Sequence, residues 1–128
     1  MKEIVETLAN GKEVIVAITH NHFDHVGAID VFKDKTILFP LKDKEKTKGF
    51  TYISDGYVID LGDKKIKAIE VPGHTAGSMA FIEDELVITG DAIGSSYVWL
   101  FFMFVIIQMF TVSIVFLIQK QKLILLYP

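Results

Sequence analysis

The sequence predicts an α+β fold in which strands outnumber helices, and three observations predict it. Short β-branched apolar runs recur along the first ninety residues, EVIVAI (Glu13 to Ile18) being the clearest, and such runs read as buried strands. Helical periodicity is confined to two short stretches. The polar, chemistry-bearing residues gather in loops at strand ends, where rigid scaffolds usually carry their sites. A length of 128 residues allows one small domain with a real core.

Taken in order, residues 2–9 place Ile4, Val5 and Leu8 on one helical face, and Asn10-Gly11 supplies a helix stop. EVIVAI follows as a strand. Asp24 is placed to cap a second helix that turns Val26, Ile29 and Phe32 inward. TILFP (Thr36 to Pro40) reads as a strand closed by proline, and KDKEKTK (Lys42 to Lys48) as a solvated loop. YVIDLG and KIKAIEV are short β-like pieces joined by a tight turn at Leu61-Gly62-Asp63, the second alternating Ile66 and Ala68 against Lys65 and Lys67. VPGHTAG (Val71 to Gly77) is a loop, because Pro72, Gly73 and Gly77 interrupt any regular element. SMAFI and ELVIT form a hairpin turning at Glu83-Asp84, which delivers Gly90-Asp91 to a strand end. No internal repeat is present.

Composition excludes several classes. A net charge of −3 argues against nucleic acid as a partner, which wants a concentrated basic face. Cysteine is absent, so there is no disulfide framework, thiolate metal site or thiol nucleophile. No G-x-S-x-G surrounds Ser78, Ser95 or Ser96, which argues against a serine hydrolase. The mean hydropathy of +0.41 is high for a soluble domain, and the excess is local. Between Asp91 and Lys120 there is no charged residue, and half of the ten phenylalanines lie within Tyr97 to Ile118.

The chain has four histidines, and three of them fall in THNHFDH, from Thr19 to His25. Three histidines beside an acid at a strand end have no packing rationale, and are held together only if something neutralises or orders them. In an extended segment His20 and His22 point to one side and can share an ion. Asp24 and His25 are adjacent, must diverge, and suit a second ion nearby. His74 and Asp91, each in a loop after a strand, are candidates to complete the sites. Imidazole and carboxylate are the donors that Zn²⁺ takes in catalytic sites. Thr75 and Ser78 read as turn residues or as donors behind the metal ligands.

THNHFDHVGA, VPGHTAGS and TGDAIG, in that order, resemble the successive motifs of the metallo-β-lactamase-fold hydrolases, the glyoxalase II and lactonase type among them. The likeness runs from about Val14 to about Gly94. It implies a partial αββα sandwich with the metals at one edge of the two sheets. It implies His20, His22 and His74 as ligands of a first zinc ion, Asp24 and His25 as ligands of a second, and Asp91 bridging. The implied reaction is attack by a metal-bound hydroxide on a thioester, lactone or phosphoester, with Asp24 as the catalytic carboxylate that orients it and takes its proton. The implied partner is a small-molecule substrate. Members of this family carry further strands ahead of the first motif, where this chain has 19 residues, and a late histidine for the second ion, where none follows His74. The chain therefore reads as truncated at its N-terminus, incomplete at its second site, and divergent after about residue 100.

The expected organisation is a partial domain over 1–96, an apolar helix over 97–118 and a short tail over 119–128. Twenty-two residues of helix span about 33 Å, enough for a bilayer core of about 30 Å. The segment reads as a transmembrane helix, with membrane contact through 97–118, as a segment buried by partners, or as a frame-altered tail. Met1 to Asn10 is charged and amphipathic rather than a secretory signal, so the metal-binding part is expected in the cytoplasm, free or membrane-anchored. The alternative to a hydrolase is an inactive or tethered fragment that binds one metal or none.

Overall fold

The computed structural model describes residues 1–44, 49–92, 115–118 and 122–127 of the chain. Helix α1 (Lys2–Ala9) ends where Asn10 takes a left-handed conformation at φ 48° and its N–H bonds to the Glu6 and Thr7 carbonyls. Strand β1 (Glu13–Ile18) follows, buried at every position after Glu13. Its period of two sorts the side chains between two layers. Val14, Val16 and Ile18 pack with Val5 and Ala9 of α1 and with Phe32, Ile37 and Phe39. Ile15 and Ala17 face the other way, into a core shared with a second sheet.

The helical face of α1 differs from the expected one. Val5 and Ala9 are its buried residues, while Ile4 and Leu8 are exposed. Positions four apart share a face, and the small Ala9 side chain lets the last turn approach the sheet. The second helix is also shorter than expected: α2 covers Phe23–Val26, and Ile29–Phe32 is a separate 3₁₀ turn. Its N-cap is His22 rather than Asp24, and Phe32 is buried as expected.

The first sheet also holds β2 (Thr36–Pro40) and β3 (Thr51–Ile53), each parallel to its neighbour. On the far side of β1 lie β8 (Val115–Ile118) and β9 (Lys122–Tyr127), giving the order β3-β2-β1-β9-β8. β9 runs parallel to β1 from Glu13 opposite Lys122 to Ile18 opposite Tyr127, and β8 pairs antiparallel to β9. Of the apolar helix expected over 97–118, residues 97–114 lie outside the described residues. Residues 115–118 are strand rather than helix, which corrects the helical reading there; VFLI is a β-favouring sequence once a partner strand is present. Among the described residues no helix is long and apolar enough to cross a membrane.

The second sheet is antiparallel, in the order β4 (Val58–Asp60), β5 (Lys65–Glu70), β6 (Met79–Glu83) and β7 (Leu86–Ile88). Gly62, at φ 97°, makes the turn between β4 and β5, where the Leu61 N–H bonds to the Lys64 carbonyl at 2.9 Å. The β6–β7 turn falls at Asp84-Glu85, one residue beyond the expected place. Ile59, Leu61, Ile66, Ala68, Met79 and Phe81 of this sheet meet Ile15, Ala17, Leu38 and Ile53 of the first. Each large side chain so buried contributes roughly 1.5–3 kcal/mol. Helix, sheet and sheet thus form three layers, and Lys65 and Lys67 lie exposed on the outer face of the second sheet.

This arrangement places three loop tips at one edge. β1 ends there, and the Met79 N–H bonds to the Thr19 carbonyl at 2.8 Å, tying the start of β6 to that end. The loop from β5 to β6 carries His74. Ile88 of β7 lies opposite Phe81 near the start of β6, so the 3₁₀ turn Gly90–Ala92 returns to the same edge.

Candidate metal centre

The strand β1 is apolar until Ile18 and then delivers Thr19 and His20, both almost wholly buried, to the sandwich edge. His22 Nδ1 lies 3.1 Å from His20 Nε2 and 2.9 Å from His74 Nε2. The three rings stand nearly perpendicular to one another, with interplanar angles of 80° to 86°. His20 Nδ1 is hydrogen-bonded to Thr19 Oγ1 at 3.2 Å, which turns its Nε2 toward the other two rings.

His25, buried on α2, packs its ring 3.9 Å from that of His20. Its Nε2 lies 3.6 Å from Asp24 Oδ2 and 3.5 Å from Asp91 Oδ2. Asp91 Oδ2 is also 3.7 Å from His74 Nε2, so this carboxylate stands between the two groups of donors. Two sets of three donors therefore converge, His20 with His22 and His74, and His20 with His25 and Asp91. All six candidate residues are brought to one place, with Asp24 and Asp91 at its exposed rim.

Burial disfavours the charged form of His20, His25 and His74. Burial, reinforced by His25, His74 and His22, pulls His20 down to about 3. Burial likewise lowers His25, against the opposing pull of Asp91 and Asp24, and lowers His74, with His22 adding to the effect. Neutral imidazole is the form that ligates a metal.

The donor set fits a zinc ion. His22 Nδ1 has one lone pair or one proton to offer, yet two nitrogens lie within 3.1 Å of it, so the two contacts compete, whereas a shared cation would accept a lone pair from all three nitrogens. Tetrahedral Zn–N bonds of about 2.0–2.1 Å set nitrogen pairs about 3.3–3.4 Å apart, close to the separations of 3.1 and 2.9 Å at His22 Nδ1. The Nδ1 atoms of His25 and His74 are buried without a hydrogen-bond partner, which also marks these rings as placed for something other than packing.

Asp43 was not among the sequence candidates. Its Oδ2 accepts from the Asn21 N–H at 3.1 Å and the Thr75 hydroxyl at 2.6 Å, and its Oδ1 accepts from the Gly77 N–H at 2.7 Å. Thr75 and Ser78 bond to each other as well, the Thr75 N–H donating to Ser78 Oγ at 3.0 Å. A side chain at position 77 would stand 2.7 Å from the Asp43 carboxylate, which explains a glycine there. The lysine-rich surroundings of Asp43 hid it.

No family model matches the chain. Curated relatives do. The chain is 34% identical over 86 residues to a hydroxyacylglutathione hydrolase of Aliivibrio fischeri, covering 63% of this chain and 33% of that protein. It is 31% identical over 85 residues to a probable polyketide biosynthesis zinc-dependent hydrolase, PksB, of Bacillus subtilis, covering 61% and 38%. It is 33% identical over 104 residues to a beta-lactamase-like protein 2 homolog of Caenorhabditis elegans, covering 73% and 35%. The chain thus spans about a third of the length of the curated relatives it matches. Among solved structures, ETHE1 from Myxococcus xanthus shares its fold, with a TM-score of 0.57 at 21% identity over 73% of this chain and 43% of that one. Relatives, fold and the order of the three motifs agree, and the chain belongs, as a partial member, to the metallo-β-lactamase-fold superfamily.

Proposed function

We propose that the chain is the metal-binding part of a zinc-dependent hydrolase acting on a small-molecule thioester, lactone or phosphoester. The observation that carries this reading is the pair of contacts at His22 Nδ1, 3.1 Å to His20 Nε2 and 2.9 Å to His74 Nε2, the latter from a residue 52 positions away. In this reading those three would hold one ion and Asp24 and His25 another, with Asp91, which lies between His25 and His74, shared by the two groups. Zinc bound there supplies Lewis acidity, drawing charge from a carbonyl or phosphoryl oxygen and lowering the pKa of water toward about 7.

The remaining work belongs to the chain's own residues. Asp24 stands at the rim with its Oδ2 3.6 Å from His25 Nε2, so one oxygen would ligate while the other orients a water and accepts its proton. Asp91, between His25 and His74, fixes the spacing of the two donor groups. Thr19 holds the His20 ring through Nδ1 and leaves Nε2 to the metal. An acylglutathione thioester is the first substrate to try, since relatives carry the name hydroxyacylglutathione hydrolase. The zinc-loaded full chain is expected to hydrolyse it, to stop on chelation, and to recover with added zinc. Asp24→Asn is expected to lower the rate roughly 10²- to 10⁴-fold. Stoichiometric zinc with no turnover would overturn the reading.

That outcome would instead favour a second reading, a chain that holds one ion and does not turn over. The observation on its side is the donor count. Among the described residues the second group offers one imidazole besides the shared His20.

A further inference from the structure

We propose that Asp43 is a positioning residue for the metal centre, a clamp that sets the distance between the two histidine loops. The proposal rests on the zinc-site reading above. Asn21 lies between His20 and His22, and Thr75 follows His74, so two of the three positions that Asp43 grips are the immediate neighbours of three ligands. One carboxylate oxygen takes both the Asn21 N–H and the Thr75 hydroxyl, and the other takes the Gly77 N–H. The Asn21 side-chain amide returns a bond to the Asp43 carbonyl at 3.3 Å. The Met79 N–H to Thr19 carbonyl bond joins the two sheets nearby, but Asp43 reaches the ligand-bearing segments themselves.

The chemistry requires an acid at this place. Three donors arrive at two oxygens, and an ionised carboxylate is an acceptor on both. An asparagine would turn its NH₂ either on the Gly77 N–H or on the Asn21 N–H, setting donor against donor. Gly77 has no room for a Cβ beside this carboxylate, so the clamp closes directly on backbone. Metal ligands must be held within about 0.5 Å of their productive positions, and the groups behind them supply that precision. Asp43 acts at one remove from the rings, through backbone and Thr75, and its effect is on the spacing of donors rather than on their basicity.

The test compares the full-length chain with Asp43→Asn and with Ile66→Val, a core variant remote from the loops chosen to match the loss of thermal stability. Zinc affinity is read by competition with a chromophoric chelator, and the cobalt-substituted form by its visible absorption. Asp43→Asn is expected to bind zinc roughly tenfold more weakly and to shift the cobalt bands, while Ile66→Val does neither. Where Asp43→Asn fails to fold, Thr75→Val, which removes one of the three bonds and keeps the branched shape, is expected to weaken zinc several-fold. Equal affinity and an unchanged spectrum in the variant that folds would overturn the clamp, as would a loss no larger than that of Ile66→Val. A wild-type chain that binds no zinc would overturn both the clamp and the reading beneath it, whereas failure of the clamp alone leaves wild-type binding intact.

Discussion

His74 Nε2 lies 2.9 Å from His22 Nδ1 although 52 positions of chain separate the two residues. Nothing local brings them together; β1 and the β5–β6 loop do so by ending at the same edge of the sandwich. The contact is therefore a readout of the whole fold, and the chemistry of the site depends on it.

Removing either ring should open the donor set. Structural zinc sites bind with about 10–16 kcal/mol spread over their ligands, so one lost donor is worth about 3 kcal/mol, on the order of a hundredfold in affinity. His22→Ala and His74→Ala are each expected to weaken zinc by that factor in a competitive titration. His25→Ala should instead reduce the stoichiometry from two ions to one and leave the tighter ion bound, as counted by metal analysis after gel filtration.

The metal-free chain should lose stability as the solution is acidified. Burial lowers His20 from 6.5 to about 3, and His25 and His74 move the same way. The unfolded chain therefore takes up protons that the folded chain refuses, and stability rises with pH across that window. The contribution is complete above about pH 6.5 and disappears as the pH falls toward 3. Melting of the chelator-treated chain at about pH 7.5 and about pH 5, where carboxylates stay ionised, should show the lower Tm at pH 5. His20→Asn should flatten the difference.

Gly90 is expected to tolerate no side chain. Its φ is +52°, and a Cβ there would stand 2.7 Å from Thr19 Oγ1, the atom bonded to His20. Gly90→Ala combines left-handed strain, about 1–2 kcal/mol for an L-residue, with a clash that pushes the Asp91 turn off the edge. A lower Tm together with loss of the second ion is the expected result.

Two phenylalanines should behave in opposite ways. Phe81 is about 1% exposed in the core between the sheets, whereas Phe23, beside the site, is 85% exposed. Phe81→Ala should cost about 3–5 kcal/mol in urea unfolding. Phe23→Ala should stay within about 0.5 kcal/mol of the parent, as surface substitutions do.

How far the sequence could be read follows from where each signal lies. β1 and β2 were legible from their continuous apolar runs, and β5 from the alternation of Ile66 and Ala68 against Lys65 and Lys67. β3 was not, since Thr51–Ile53 is three residues long and acquires its identity only by lying along β2. The second helix was overextended because Val26, Ile29 and Phe32 keep helical spacing, while the backbone breaks α2 at Gly27 and resumes as a 3₁₀ turn. Hydropathy over 97–118 cannot tell a helix from strands, and its last four residues pair with β9 instead. Within the site, the candidate donors of THNHFDH stood out by their spacing. Asp43 could not, because its partners stand 22, 32 and 34 positions away, and an acid in a lysine-rich loop looks like any solvated charge.

Zinc K-edge absorption on the zinc-loaded full chain tests the central claim most directly. The account predicts a shell with at least three imidazole nitrogens at about 2.0–2.1 Å around the tightly held ion. A chain that retains no zinc after gel filtration, or an ion bound by oxygen donors with fewer than three imidazoles, would contradict it.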